Sequence, residues 1–577
     1  MEASGAFIAA LDVGTTSIRC HIIDKAGNVV STATDSVKLL YPKRGYVEID
    51  PEVLWQSSKR VVEEAIRGAG IRPDQVAALG VSTQRSTFVT WDRRTGRPFH
   101  NFITWKDVRA DSLVRQWNNS LTWRSLRIGA RCLYALTGSK RFLAGSVLRL
   151  MNTQVTCRYN WALNNVAELK EAVAQRQAAF GTVDTWLMYK MTAGRCHVTD
   201  VSSASATGFF DPFTMTWASW ALGLFGIPEH SLPAVGDSAG ALGESDPSVW
   251  GAAIPIRSLV ADQSAAVFGA CCFKPELIKV TMGTGTFVNI NTAGKPHASV
   301  RGLYPVVGWR VRDELVYLVE GASSDTANIV NWGQSVGLFD DPAQSSPMAE
   351  AVPDSDGICF IPAFSGLQAP VNDFQAAAGF LGIKPTARKE HMVRAMLESL
   401  AYRVAQVLRA VNEETSCTYT RIRVDGGVSR NDFVCQMLAD LSRLPVERCT
   451  NTEMSAMGAA YLAGTAAGVW KSQAEVAGLR VVERVFEPRP QDAAGAGQSA
   501  TASMALWERA VGRFLDWYPV DDAAGAAAAA GAAGDSSSSR STTASGASGA
   551  SSGVSSAAAS PATSPAVDAK GAGDVRL

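Results

Sequence analysis

Two short Gly-Thr strings carry the first recognisable chemistry in this sequence. Gly14-Thr15-Thr16-Ser17 follows the apolar run Phe7 to Asp12 and precedes the β-rich run Ile18 to Ile23. Far downstream, Gly283-Thr284-Gly285-Thr286 follows Leu277 to Met282 and leads into Phe287 to Ile290. Each turn joins glycines, whose backbone N–H groups no side chain obstructs, to hydroxyl donors; successive N–H groups in a tight turn make a concavity for anionic oxygens. Phosphate suits such a turn, although a plain hairpin needs no more than the same residues. Neither string is a Walker P-loop, because GxxxxGK[ST] is missing and each turn enters a strand instead of a helix.

Two acids and a third turn stand in related places. Asp12 closes the first apolar run directly before its turn, where a carboxylate either holds a hydrated Mg2+ bridging nucleotide phosphates or caps the turn. Asp262 follows the run Ile256 to Val260 and stands before the helical stretch Gln263 to Phe273. There it either caps the helix or takes the proton of an attacking hydroxyl, as acids do in phosphoryl transfer. Asp425-Gly426-Gly427 connects the strand Ile422 to Val424 with a helix from Asn431 to Leu441. Its paired glycines admit a flat ligand that Asn431 can hydrogen-bond, or serve only a tight strand-to-helix connection.

These residues need elements to hold them. Strand, Gly-Thr turn, strand occurs at the start of each of two halves, which predicts a duplicated fold with a cleft between the halves. β-rich runs alternate with helical ones, the pattern of an α/β architecture. Arg388 to Val411 is the clearest helix, with Met392, Met396, Leu400, Val404, Val407 and Val411 at three- and four-residue steps along one face. Leu506 to Tyr518 reads as one closing helix.

A chain of 577 residues is too long for one core and predicts two or three domains. Lys+Arg 54 against Asp+Glu 54 leaves no net charge, which argues against a general nucleic-acid binder. No apolar run reaches the roughly 18 residues of a membrane span, and Met1 to Phe7 lacks a signal-like pattern. A cytoplasmic protein without integral membrane segments is expected. Ten cysteines, with Cys271 and Cys272 adjacent but no CxxC, read as reduced thiols packed in the core. Scattered histidines give no zinc motif. From Asp521 to Leu577 the chain is almost wholly Ala, Gly, Ser, Thr and Pro, so a disordered tail is expected, and Ala493 to Ala502 is similarly poor in core residues.

Taken in order, these pieces resemble the FGGY carbohydrate kinases, and within them the glycerol kinase branch. The strings that carry the resemblance are LDVGTTSIR (Leu11 to Arg19), YVEIDPEVLW (Tyr46 to Trp55), STQRST (Ser82 to Thr87), DTWLMYKMT (Asp184 to Thr192), ADQSAAVFG (Ala261 to Gly269), MGTGTF (Met282 to Phe287) and VDGGVSRNDF (Val424 to Phe433). The resemblance implies two actin-like, ribonuclease H-like α/β domains flanking a catalytic cleft: residues 1–257, then 258–520, with 521–577 as the tail.

It further implies ATP and Mg2+ as cofactors and a small polyol, glycerol first, as acceptor. Thr15, Thr16, Ser17 and Arg19 match the first phosphate loop, and Gly283, Thr284 and Gly285 the second. Gly427 and Asn431 match adenosine contacts, while Ala327 and Asn331 stand where the branch usually carries Gly and Gln. Arg85, Trp105, Asp262, Gln263 and Phe287 match the acceptor pocket. Asp12 and Asp262 are the implied metal residues, and Asp262 the catalytic base. Two positions depart: Ser86 replaces a Glu, and Thr153 stands where an aromatic residue is expected, so another small polyol or sugar is an alternative acceptor. A weakly catalytic nucleotide-binding regulator is the alternative from another class, and a homo-oligomer is compatible with the sequence.

Overall fold

The computed structural model describes residues 6–415, 417–490 and 500–519. The tail expected from Asp521 lies outside the described residues. Phe7–Val13 and Ser17–Ile23 form an antiparallel hairpin, closed by a hydrogen bond from the Gly14 N–H to the Ser17 carbonyl (2.9 Å). Phe7–Val13 is buried along nearly its whole length because it also pairs in parallel with Val76–Thr83. Val29–Ser36 alternates exposed with half-buried residues, as an edge strand must. The six-stranded sheet runs Ala239–Glu244, Pro255–Ala261, Val76–Thr83, Phe7–Val13, Ser17–Ile23, Val29–Ser36.

The second sheet repeats this plan. It runs Tyr304–Val311, Glu314–Ser323, Thr286–Asn291, Leu277–Met282, Arg421–Asp425, Val446–Cys449, Val482–Phe486. Three antiparallel strands, two strands added in parallel and an antiparallel edge recur in the same spatial order, with Tyr304–Val311 as the extra strand. The duplicated hairpin expected from the Gly-Thr strings is therefore the first pair of strands in each of two actin-like sheets.

The helices account for the close fit between the halves. Met454–Ala466, which follows the second sheet's strand Val446–Cys449, packs against Asp262–Gly269 and also against five strands of the first sheet. Glycines let backbones meet there: a Cβ on Gly458 would sit 1.8 Å from the Ala265 carbonyl oxygen, and one on Gly80 2.2 Å from that of Ala459. The YVEIDPEVLW string forms the start of Pro51–Gly68, where Asp50 accepts from the N–H groups of Glu52 and Val53 and Pro51 opens the helix.

Several boundaries differ from expectation. The expected division at 257/258 falls inside Pro255–Ala261, which belongs to the first sheet because it pairs with Val76–Thr83. The helix after Asp262 stops at Gly269 rather than Phe273, and Cys271 then turns left-handed (φ 55°). The closing helix is Ala500–Val511, beginning six residues before Leu506 and ending before Gly512; its anchor is Trp507, whose Nε1 donates to the Phe360 carbonyl (2.7 Å). Arg388 to Val411 is met by Lys389–Glu414. Cys271 and Cys272 are buried thiols, whereas Cys132 and Cys417 are exposed.

Candidate active site

One cavity of about 1570 Å3 separates the halves, and both Gly-Thr turns open into it: Gly14, Thr15 and Thr16 from one side, Gly283, Thr284 and Gly285 from the other. The second turn is held by Gly283 N–H donating to the Gly285 carbonyl (3.0 Å). Gly285 admits no side chain, since a Cβ there would lie 2.8 Å from the Ser323 carbonyl oxygen. Asp262, Gln263, Arg85, Ser86, Trp105, Thr153 and Phe287 line the same cavity.

One wall of the cavity is built round Arg85, just beyond the end of Val76–Thr83. Its Nη2 donates to both oxygens of Glu320 (2.6 and 2.8 Å), and its Nε lies 3.6 Å from Asp262 Oδ1. Burial alone would weaken the guanidinium charge; Glu320 and Asp262 beside it keep Arg85 protonated. The guanidinium lies 5.9 Å from the Phe287 ring centre. Trp105 Nε1 donates to the Thr15 hydroxyl (2.9 Å), tying this wall to the first Gly-Thr turn. Gln84 locks that turn from below, donating to the Gly14 carbonyl (2.9 Å) and accepting from Thr87 (3.0 Å).

Asp262 is the first residue of its helix, not the cap; Ala261 occupies the cap position. Its Oδ1 accepts from the Gln263 N–H (2.7 Å), and its side chain keeps 27% exposure toward the cavity. Burial pushes its carboxyl up to about 6, against the pull of Arg85. Asp12 lies opposite Arg19 in the hairpin register and does not line the cavity. Its Oδ1 is buried without a hydrogen-bond partner. Burial, only partly offset by the neighbouring Ser82 hydroxyl and reinforced by Asp262 and Glu453, pushes this carboxyl up to about 7. A partnerless buried carboxylate oxygen next to other acids is the environment a cation relieves.

Other expected residues are spent differently. Arg19 forms an ion pair with Glu453, across to the segment before Met454–Ala466. The Ser86 hydroxyl donates to the Ala206 carbonyl (2.9 Å) in a left-handed backbone (φ 60°). Ser17 begins its strand beyond the turn. Ala327, Asn331, Gly427 and Asn431 lie outside the cavity lining. The Ala327 N–H donates to the Gly283 and Thr284 carbonyls (both 3.2 Å), so it braces the second turn. Asn331 is exposed. Asn431 caps Asp432–Ser442, accepting from the Val434 N–H (3.1 Å), and donates to Ser345 (3.0 Å). A Cβ on Gly427 would meet nothing within 4 Å, so its backbone faces open space.

Gly426 is fixed more tightly. It is left-handed (φ 82°), and a Cβ would lie 2.6 Å from the Met282 carbonyl oxygen and 3.0 Å from the Gly283 nitrogen, at the root of the second turn. Gly426→Ala is expected to cost about 1–3 kcal/mol of stability and to weaken ADP binding, both read by thermal melting with and without ADP. An unchanged melting curve would contradict the close approach.

Sequence reasoning missed Glu320 and Arg158. Glu320 sits among apolar residues of Glu314–Ser323 with nothing local to mark it. Arg158 is fully buried in Val155–Asn165 and donates to the carbonyls of Thr104 (2.5 Å), Ser86 (2.8 Å), Thr153 (2.9 Å) and Ile103 (3.1 Å). It thereby fixes three stretches of the cavity wall, while burial lowers its own pKa to about 9.

Comparison with known proteins agrees with this geometry. The N-terminal domain model of the FGGY family of carbohydrate kinases matches residues 7–269, and the C-terminal domain model matches residues 278–467. Glycerol kinase 5 of Danio rerio is 46% identical over 513 residues, covering 89% of this chain and 97% of the relative. Glycerol kinase 5 of Homo sapiens is 44% identical over 512 residues, covering 89% and 96%. Glycerol kinase 2 of Thermotoga maritima is 36% identical over 513 residues, covering 89% and 99%. The crystal structure of Plasmodium falciparum glycerol kinase with ADP superimposes with a TM-score of 0.77 at 26% identity, over 89% of this chain and 98% of that one. With matching models over both sheets and the two Gly-Thr turns facing one cavity, the chain belongs to the FGGY family of carbohydrate kinases.

Proposed function

We propose that this phosphotransferase moves the γ-phosphoryl group of ATP to glycerol, giving glycerol 3-phosphate. The observation that carries the reading is that an acid–arginine–aromatic seat and both glycine-threonine turns share one cavity. Arg85 donates to acceptor hydroxyls, Glu320 accepts from them, and the Trp105 and Phe287 rings cover the carbon chain. Asp262 takes or orients the proton of the attacking hydroxyl; with a carboxyl near 6 it is mostly ionised at neutral pH. The backbone N–H groups of the two turns other than those of Gly14 and Gly283, which close the turns themselves, face the phosphates, and Gly427 with Asn431 borders the adenosine. Positioning and charge neutralisation supply most of the acceleration, because the transition state is loose.

Asp12 fits a magnesium site through its partnerless buried oxygen, with Asp262 as the second acid. The ion, when bound, neutralises charge on the phosphate oxygens. Closure of the two halves excludes water and limits idle ATP hydrolysis.

The test is ADP release measured with ATP alone and with glycerol, dihydroxyacetone, erythritol or pentuloses. Glycerol-dependent release supports the reading; dependence on another compound moves the acceptor, and no acceptor dependence removes the kinase activity. Arg85→Ala should raise the glycerol KM at least tenfold and cost about 3–5 kcal/mol, because Glu320 is left buried without its cation. Calorimetry and initial rates together check this outcome.

A further inference from the structure

The segment from Ser112 to Ala167 contains eight Lys and Arg residues and no Asp or Glu. Within it, Leu121–Thr137 and Lys140–Val147 form a helical hairpin, turned at left-handed Gly138. This hairpin is firmly built. Trp123 is buried and its Nε1 donates to the Leu148 carbonyl (3.3 Å), while Arg127 Nε donates to the Ser146 carbonyl (3.3 Å). A Cβ on Gly145 would touch that of Ala130 at 3.3 Å, so the two helices lie in close contact.

Its outer face is apolar. Leu121, Ile128 and Leu136 are 80%, 65% and 82% exposed. They are spaced by seven and eight residues, about two helical turns each, and so share one stripe. Arg124 and Arg131, also seven apart and exposed, run along its flank, and exposed Lys140 starts the next helix. Water-facing leucines and isoleucine on one stripe, beside cations and with no acid in the segment, form an amphipathic face complementary to an anionic, apolar-backed surface. Leu121–Thr137 carries three arginines, and no described helix is long and apolar enough to cross a bilayer.

We propose that the hairpin 121–147 is a peripheral membrane-docking surface. Leu121, Ile128 and Leu136 enter the headgroup boundary of an anionic bilayer, and Arg124, Arg131 and Lys140 meet its phosphates and carboxylates. None of these six residues lines the cleft, so docking leaves the cavity between the halves free.

The test is flotation of the full chain with vesicles of phosphatidylcholine alone or with added phosphatidylserine, at low and high salt. The wild type should partition to the phosphatidylserine vesicles and be released by salt. Arg124→Ala with Arg131→Ala should weaken partition more than about tenfold, since each basic residue near the surface contributes roughly fivefold. Leu121→Ser with Ile128→Ser and Leu136→Ser should abolish it, while circular dichroism and ATP turnover match the wild type. Equal partition to both vesicle types, or an unaffected triple variant, overturns the proposal. So does a dimer in vesicle-free solution that the triple variant converts to monomers, because the stripe then meets a second copy of the chain.

Discussion

Asp262→Asn should lower turnover about 100- to 10,000-fold, the usual contribution of a positioned general base, while ATP affinity changes little. Asparagine keeps the shape of the side chain and an oxygen for the Gln263 N–H, which Asp262 now accepts at 2.7 Å. It cannot take a proton. Arg85 loses one of its two acids but keeps both bonds to Glu320, so the acceptor wall stays charged and folded. The two Gly-Thr turns are closed by backbone groups that the substitution does not touch. Single-turnover rates with saturating glycerol, set beside ADP titration, separate the two effects. Near-normal turnover would falsify the role of Asp262; a parallel collapse of nucleotide affinity would show damage to the turns instead.

Gly458→Ala is expected to destabilise the chain by about 3 kcal/mol or more, at the upper end of overpacking effects. Its added Cβ would lie 1.8 Å from the Ala265 oxygen and 2.5 Å from the Ala265 carbonyl carbon. These are backbone atoms, so no side-chain rotation relieves the overlap. Gly269 faces the same junction, with a Cβ position 2.2 Å from the Met454 oxygen. Displacement of Asp262–Gly269 would also move Asp262, and activity should fall with the melting temperature. Gly223→Ala is the control: it lies in the helix Ser219–Phe225 with nothing within 4 Å of the added atom, and it should be neutral or stabilising by up to about 1 kcal/mol. Equal melting of the two variants would contradict the tight junction.

Local pattern made the hairpins legible, because a glycine-threonine turn between two β-rich runs needs no tertiary information. Lys389–Glu414 was legible for the same reason: its apolar stripe extends over many turns. The lobe division was not, since a parallel strand such as Pro255–Ala261 declares its sheet only through its neighbours. Glu320 and Arg158 were invisible because their importance lies in a partner 235 residues away in one case and five carbonyls from three separate stretches in the other. The capping reading of Asp262 failed because the helix starts one residue earlier, on the acid itself. Asn431, read in the sequence as a ligand contact, caps Asp432–Ser442 and donates to Ser345, a duty that depends on a helix start and a neighbour 86 residues away.

The glycine-lined crossing of Asp262–Gly269 with Met454–Ala466 also bears on motion. A door's edge sweeps a wide arc while the wood beside its pin hardly travels. If the lobes swing about this crossing, the phosphate-facing turns move far and the acid at the helix start moves little. Asp262 then keeps its aim throughout opening and shutting, and the alignment that must be regained on each cycle is that of the two turns.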